Sequence, residues 1–346
     1  MEKKIKKINS ALIYSDEFIK QWINDDSFTY LDFHTNKKYR INLDNNPLIK
    51  LIFEQDDSFD IEEVINQFNK ISQEARFIID VKIMGIKNPE LNGFDVLFLR
   101  YFFFLISILN GDYKFQKEDE EESYCFLDTL ESEMDEETRH NLLLILNYIL
   151  FELYDLLFTK RLFANLKNYV DRYDGENLGS EEDKIIKVRK EDFEEQDFTY
   201  IEIYFHHLVN NNFMKIFKIT EFEKKSFILN NQMIGNFLDK ESQITLLSVM
   251  IVNPDLAIGF VNLGPGKGEF RPLFDYIQNN SINVEKIPSI LHPNHKVILD
   301  ADNRGEKNKF IFKPLILNKE QIGLINFAIS IKGIKIALED LTKKNE

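Results

Sequence analysis

Residues 226–263 read SFILNNQMIGNFLDKESQITLLSVMIVNPDLAIGFVNL, and this stretch limits the fold most. It holds three apolar runs: Phe227-Ile228-Leu229, Ile244 to Val252, and Leu256 to Val261. Each has strand length and composition, and Asn253-Pro254-Asp255 is a turn signal between the last two. The runs are too apolar for strands with one wet face. They are expected to be adjacent central strands of a buried sheet.

Such a sheet needs cover, and the preceding residues offer it. Asp60 is placed to cap a helix in which Ile61, Val64, Ile65, Phe68, Ile71 and Ala75 share one stripe. Gly85 and Asn88-Pro89 end it. Phe94–Asn110 reads as a second helix, apolar nearly all round, and a third opens at Asp135 or Thr138 and runs to about Tyr173. Upstream, Ser15–Trp22 reads as a helical turn. Phe28–Phe33 and Tyr39–Leu43 read as a hairpin closed by His34-Thr35-Asn36-Lys37. Downstream, the pattern predicts a helix over Phe198–Asn211, a strand over Phe213–Ile219 and a short helix over Pro272–Gln278. Strands at Val297–Asp300, Phe310–Leu317 and Ile334–Leu338 and a helix at Glu320–Ser330 complete the chain.

There is no regular βαβ alternation, so the expected class is α+β. The sheet, mixed or antiparallel, comes mainly from the C-terminal half, under a helical layer from residues 61–172 and with a short N-terminal hairpin. The 346 residues are read as one unit, with a possible division into a helix-rich 1–220 and a β-rich 221–346.

The net charge of -15 favours solubility and opposes non-specific binding to nucleic acid or anionic lipid. Residues 116–137, QKEDEEESYCFLDTLESEMDEE, concentrate that charge. Such a run is ordinarily a solvated loop or helix face; the other reading is a dock for a basic partner. The 31 phenylalanines accompany many Ile, Asn and Lys, a bias expected of a low-GC genome rather than of an aromatic-stacking function. Cys125 is the single cysteine, which excludes an internal disulfide and suits a reducing cytoplasm. MEKKIKKINS lacks the apolar segment of a signal peptide. The apolar windows Phe94–Leu109 and Leu142–Phe158 carry Asp95, Arg100, Glu152 and Asp155. They fall short of the roughly 20 uncharged residues of a membrane span and are expected to be core helices.

Short motifs in order and spacing give a resemblance. Phe18-Ile19-Lys20-Gln21-Trp22, Thr29-Tyr30-Leu31-Asp32 and Ile71–Ala75 with Glu74 come first. Phe227–Met233, Asn253-Pro254-Asp255-Leu256-Ala257-Ile258, Leu324-Ile325-Asn326-Phe327-Ala328 and Ile334–Ala337 follow. Together they resemble a mostly bacterial family known as domain of unknown function 4238, whose members begin with His-His-x-Val-Pro. Several of the family's polar positions are replaced here. Its histidine pair falls at Ala11-Leu12, its first proline at Ser15, and the Asp and Pro of Thr-Ser-Asp-x-Pro at Asn231 and Met233. The arginine that ends its second helix has no counterpart near Ile106–Asn110. The resemblance implies a shared fold, a setting in defence against mobile elements, and a family active site, if there is one, lost from this chain.

Two functions are weighed. The first is a cytoplasmic protein that binds a macromolecular partner, either another protein or a second copy of itself, without a cofactor. The second is a metal-dependent hydrolase of nuclease type, which needs converging carboxylates, a lysine and Mg²⁺ or Mn²⁺. Asp255, Glu269 and Lys267 are its catalytic candidates; Glu223 and Lys225, which precede the first strand of the expected sheet, are placed where they could converge on Asp255. His292, His295 and Asp300, beside Asp302, are its metal candidates. Asp255 also reads as a turn cap, and the LHPNH histidines as an exposed pair. Gly264-Pro-Gly-Lys-Gly268 is no Walker loop, since the spacing differs and no Ser or Thr follows the lysine; it reads as a surface loop. His206 and His207 are adjacent on a helix and cannot share a face.

Overall fold

The computed structural model describes residues 18, 27–32, 37–42, 48–117, 121–131, 133–160, 185–195, 198, 201–202, 212–219, 227–228, 234–238, 245–262, 309–331 and 336–338. The first strands among the described residues form the expected hairpin, β1 (Ser27–Asp32) and β2 (Lys37–Asn42); of the helical turn expected over Ser15–Trp22 all but Phe18 lies outside the described residues. A short helix, α1 (Leu48–Phe53), leads to α2 (Ile61–Phe77), where the Asp60 carboxylate accepts the Glu62 and Glu63 N–H groups as forecast. Val64, Phe68, Ile71 and Ala75 are buried along its stripe.

The helix then widens into a π-helical turn, Ile78–Ile83, and stops before Gly85, whose φ of +74° only glycine adopts freely. Strand β3 (Glu90–Asn92) runs straight into α3 (Gly93–Leu109). Asn92 and Asp95 form a reciprocal capping box at that junction. Every residue of α3 except Leu97 is buried. The charged Asp95 is tolerated there because the Lys82 ammonium donates to it at 2.7 and 2.9 Å.

In the described part of the acidic run every Asp and Glu except Asp128 is exposed, on loop and on the first turn of the next helix, while apolar residues tie it to the core. The described segments here are β4 (Lys114–Lys117), β5 (Ser123–Tyr124) and a 3₁₀ turn (Phe126–Leu130), whose Phe126, Thr129 and Leu130 are buried and pin it. Helix α4 (Glu136–Thr159) follows, capped by Asp135. It ends earlier than the pattern suggested: Lys160 takes a left-handed conformation and its N–H bonds the Leu156 carbonyl. By length and composition α4 could cross a membrane. Its Leu142, Leu143, Ile145, Leu146, Ile149, Leu150, Leu153 and Leu156 are instead buried, and it packs on α2 and α3.

Strand β6 (Ile185–Val188) joins β4 in parallel, and the short α5 (Lys190–Glu195) follows. The main sheet has the order β12-β7-β10-β9-β8, from β7 (Asn212–Ile219), β8 (Ile234–Leu238), β9 (Thr245–Asn253), β10 (Leu256–Asn262) and β12 (Leu315–Leu317). It is mixed: β12 runs parallel to β7 and every other pairing is antiparallel. Two of the three central runs are thus neighbouring strands. The third is corrected: Phe227 and Ile228 lie outside any strand. Phe227 is fully buried, so its apolar character serves a core plug, and the strand beside β9 is β8. The single strand expected over Phe310–Leu317 is also corrected. It is split at Phe312-Lys313-Pro314 into β11 (Lys309–Ile311), which pairs with β3, and β12. Proline has no N–H for a ladder. Helix α6 (Lys319–Ile331) and β13 (Ile336–Leu338) close the chain, and β13 pairs with β1.

Both faces of the main sheet are covered. On one face Phe260 stacks on Phe103 of α3 at 4.0 Å. On the other α6 comes so close to Gly235 that a Cβ there would lie 3.0 Å from the Ile329 backbone nitrogen. The two-sided burial that the strand compositions demanded is therefore supplied by one helix that precedes strands β7–β10 in sequence and one that follows them. Phe103→Ala should cost about 3–5 kcal/mol in a denaturant titration, since the ring is buried and its partner would face a cavity.

Candidate functional site

Asp255 lies in the tight β9–β10 turn and is exposed. Its N–H donates to Asn253 Oδ1 at 2.8 Å, and its carbonyl accepts the Ile219 N–H at 3.0 Å. In these bonds the capping side chain is that of Asn253, and Asp255 takes part through its backbone. The other hydrolase candidates, Glu269, Lys267, His292, His295 and Asp300, lie outside the described residues. So do Asp302, Glu223, Lys225, His206, His207 and Gly264–Gly268. Among the described residues no three His, Cys, Asp or Glu side chains are grouped as metal ligands.

Several of the segments that carry the family resemblance meet at this turn. The Phe227 N–H donates to the Pro254 carbonyl at 2.8 Å, and the Ile228 N–H to Asn326 Oδ1 of α6 at 3.0 Å. Arg76, next to the 71–75 motif, donates to the Val252 carbonyl at 3.0 Å and lies 5.7 Å from the Phe18 ring. Every hydrogen bond named has a backbone group at one end or both, so the cluster builds structure.

Asp56, Ser58 and His140 look like a nucleophilic triad. His140 Nδ1 sits 2.7 Å from Asp56 Oδ2, as an orienting carboxylate requires. The Ser58 hydroxyl, however, is 3.5 Å from the same nitrogen. A triad needs the hydroxyl on the far ring nitrogen, so no proton path exists here. The trio joins the loop before α2 to α4. Burial works against the Asp56 carboxylate, but its Ser58 and His140 hydrogen bonds outweigh that and hold its pKa below the ordinary value.

Cys125 is equally unsuited to attack. Burial first, then the Asp128 carboxylate, push its thiol up to about 11, so it carries no thiolate at neutral pH. Lys215 is the opposite case. It points to the α6 side of the main sheet, is 5% exposed, and burial brings its ammonium down to about 8. Period-two reading of Phe213–Ile219 puts Lys215 and Lys218 on opposite faces, which was the available signal.

An open concavity does exist. A cleft of about 230 Å³ lies between the β5-β4-β6 sheet and the first turns of α4. Phe115, Tyr124, Leu142, Ile145, Val188 and Phe193 supply its apolar lining, and Gln116, Lys117, Asp135, Glu137, Thr138 and Asn141 the polar part. Beyond Phe193, the ring of Phe198 packs on Tyr148 at 4.9 Å, and the Tyr148 hydroxyl donates to the buried Glu202. Burial, then the Glu202 and Glu152 carboxylates, hold the Tyr148 hydroxyl far above its ordinary pKa, so it stays a donor. Sequence reasoning reached the acidic edge of this cleft. It missed the floor, whose side chains come from four separate segments.

Comparison with known proteins finds no matching family model, curated protein or solved structure. The likeness to the His-His-x-Val-Pro family therefore stands on the short motifs alone.

The Lys215 environment gives a pH signature. Above about pH 8 the folded chain has released a proton that the unfolded chain holds to about 10.4, so stability should rise with pH across that interval. Urea titrations at pH 8 and 9.5 should show this rise in the wild type and a smaller one in Lys215→Met. Equal slopes in the two proteins would remove Lys215 as its source.

Proposed function

We propose that the protein works by binding a partner protein with a basic surface, and that the dock is the acidic face formed by β4, β5 and the start of α4. Residues 116–137 carry eleven Asp and Glu against one Lys, which is ten of the chain's fifteen net negative charges. What carries the reading is how this segment is held. Arg139 donates to the carbonyls of Thr129, Glu131 and Met134 at 3.0–3.2 Å, and so fastens the loop to α4. Glu121, Glu122, Glu131, Glu133, Asp135, Glu136 and Glu137 are exposed on that anchored frame. A run that only solubilises needs no such anchoring, whereas fixed charges steer encounter and select partners.

The same face would repel nucleic acid and a second copy of itself, so a different, cationic protein is the fitting occupant. The setting we propose is the one the resemblance implies, defence against mobile elements in the bacterial cytoplasm. The hydrolase alternative rests on Asp255, whose backbone bonds suit a turn, and on residues outside the described set.

A Glu131→Lys/Glu136→Lys/Glu137→Lys protein tests the proposal against the wild type. A partner retained by the wild type should associate at least ten-fold more slowly with the charge-reversed protein, and its on-rate should fall steeply with salt. Binding indifferent to the reversal, or no partner in resting or infected cells, overturns the proposal. Cleavage of DNA or RNA with Mg²⁺ or Mn²⁺ that Asp255→Ala abolishes would install the hydrolase instead.

A further inference from the structure

We infer that the cleft between the β5-β4-β6 sheet and α4 receives one arginine side chain of the basic partner, an inference that rests on the partner-binding reading above. Size comes first. About 230 Å³ falls below the roughly 300–1,000 Å³ of sites that enclose a drug-sized ligand or cofactor, and suits a single long side chain.

The lining then selects among side chains. An aliphatic stem would lie along Leu142, Ile145 and Val188, and a planar head would meet the rings of Phe115, Tyr124 and Phe193. Guanidinium stacks on aromatic faces and is less strongly hydrated than ammonium, which favours arginine over lysine. Its five N–H donors need several acceptors, and the rim carries the carboxylates of Asp135 and Glu137 and the side-chain oxygens of Gln116, Thr138 and Asn141. The Thr138 N–H bonds to the Asp135 carboxylate and lowers its pKa, so that charge is present at neutral pH. Lys117 opposes the cation, but the surrounding segment carries a net ten negative charges.

The aromatic floor is held from behind. Phe115 packs on Phe126 at 4.8 Å, and Phe193 packs on Phe198, which rests on Tyr148. A floor fixed in this way loses little freedom when occupied.

The test uses the full chain with labelled Leu, Ile and Val methyl groups. It is titrated with acetyl-Gly-Gly-Arg-Gly-Gly-amide and with the lysine and citrulline versions of that peptide. Shifts centred on Leu142, Ile145 and Val188 are expected with the arginine peptide, with several-fold weaker binding for lysine and at least ten-fold weaker for citrulline. Glu137→Gln, which keeps the shape, should weaken the arginine peptide several-fold, and Asn141→Trp, which fills the cleft, should abolish the methyl shifts. Equal binding of arginine and lysine peptides without methyl shifts would overturn the arginine pocket and leave partner docking intact. Preferential binding of citrulline, or of phenol as a neutral aromatic probe, would assign the cleft to another ligand and overturn the inference. If neither the basic peptides nor a basic protein binds, both readings fall together.

Discussion

The sheet and the helical layer are joined by a reciprocal exchange of cations and carbonyls. From the helix side, Arg76 reaches the Val252 carbonyl at the end of β9. From the sheet side, Lys218 of β7 donates to the Ile83 and Ile86 carbonyls at 3.2 and 2.8 Å. Those carbonyls lie at the end of the π-helical turn and just beyond it, where helix-terminal acceptors need partners; that of Ile83 also accepts the Ile86 N–H at 3.3 Å. Arg76 is 5% exposed and would be costly alone; Asp80, one turn on, meets it with two contacts of 2.5 and 2.7 Å. Burial lowers the pKa of Lys218, the electrostatic cost of using a strand lysine as a helix cap. The stacked rings of Phe103 and Phe260 lie in the same layer-to-layer contact that these polar bonds orient.

How far the fold was legible depended on whether a residue's role was local. Caps at Asp60 and Asp135, the stripe of α2 and the alternation of the N-terminal hairpin are local, and each was readable. The Phe227 run misled because its apolarity fills a hole rather than a ladder. The true strand, Ile234–Leu238, contains Gly235 and Asn236, which break the apolar run: Gly235 faces the α6 backbone, and Asn236 donates to Asp112 at 3.1 Å. The early end of α4 at Thr159 left no mark either, because Lys160 in a left-handed cap is a choice of backbone rather than of composition.

The site was less legible than the fold, for the same reason. Charge density along 116–137 is visible in one dimension. That Arg139 fastens the segment, that Phe115 and Phe193 line one concavity, and that β6 joins β4 across nearly seventy residues depend on tertiary pairing. Proximity in the fold also offers a false lead that no sequence motif announced: an Asp, a Ser and a His meet at Asp56, Ser58 and His140, with the hydroxyl on the wrong side of the ring.

The burial of α3 has a consequence for how the chain is made. Its sixteen buried residues emerge from the ribosome well before Phe260, which covers Phe103, and before the strands β11 and β13 that complete the β3 and β1 pairings. At about 5–20 residues per second, the roughly 150 intervening residues leave the sheet-facing side of that helix, with Phe103, uncovered for about 8–30 s even after α4 has packed on it. Nascent chains should therefore spend that interval as clients of holding chaperones, and premature termination anywhere before β10 should yield an aggregating fragment rather than a smaller folded protein.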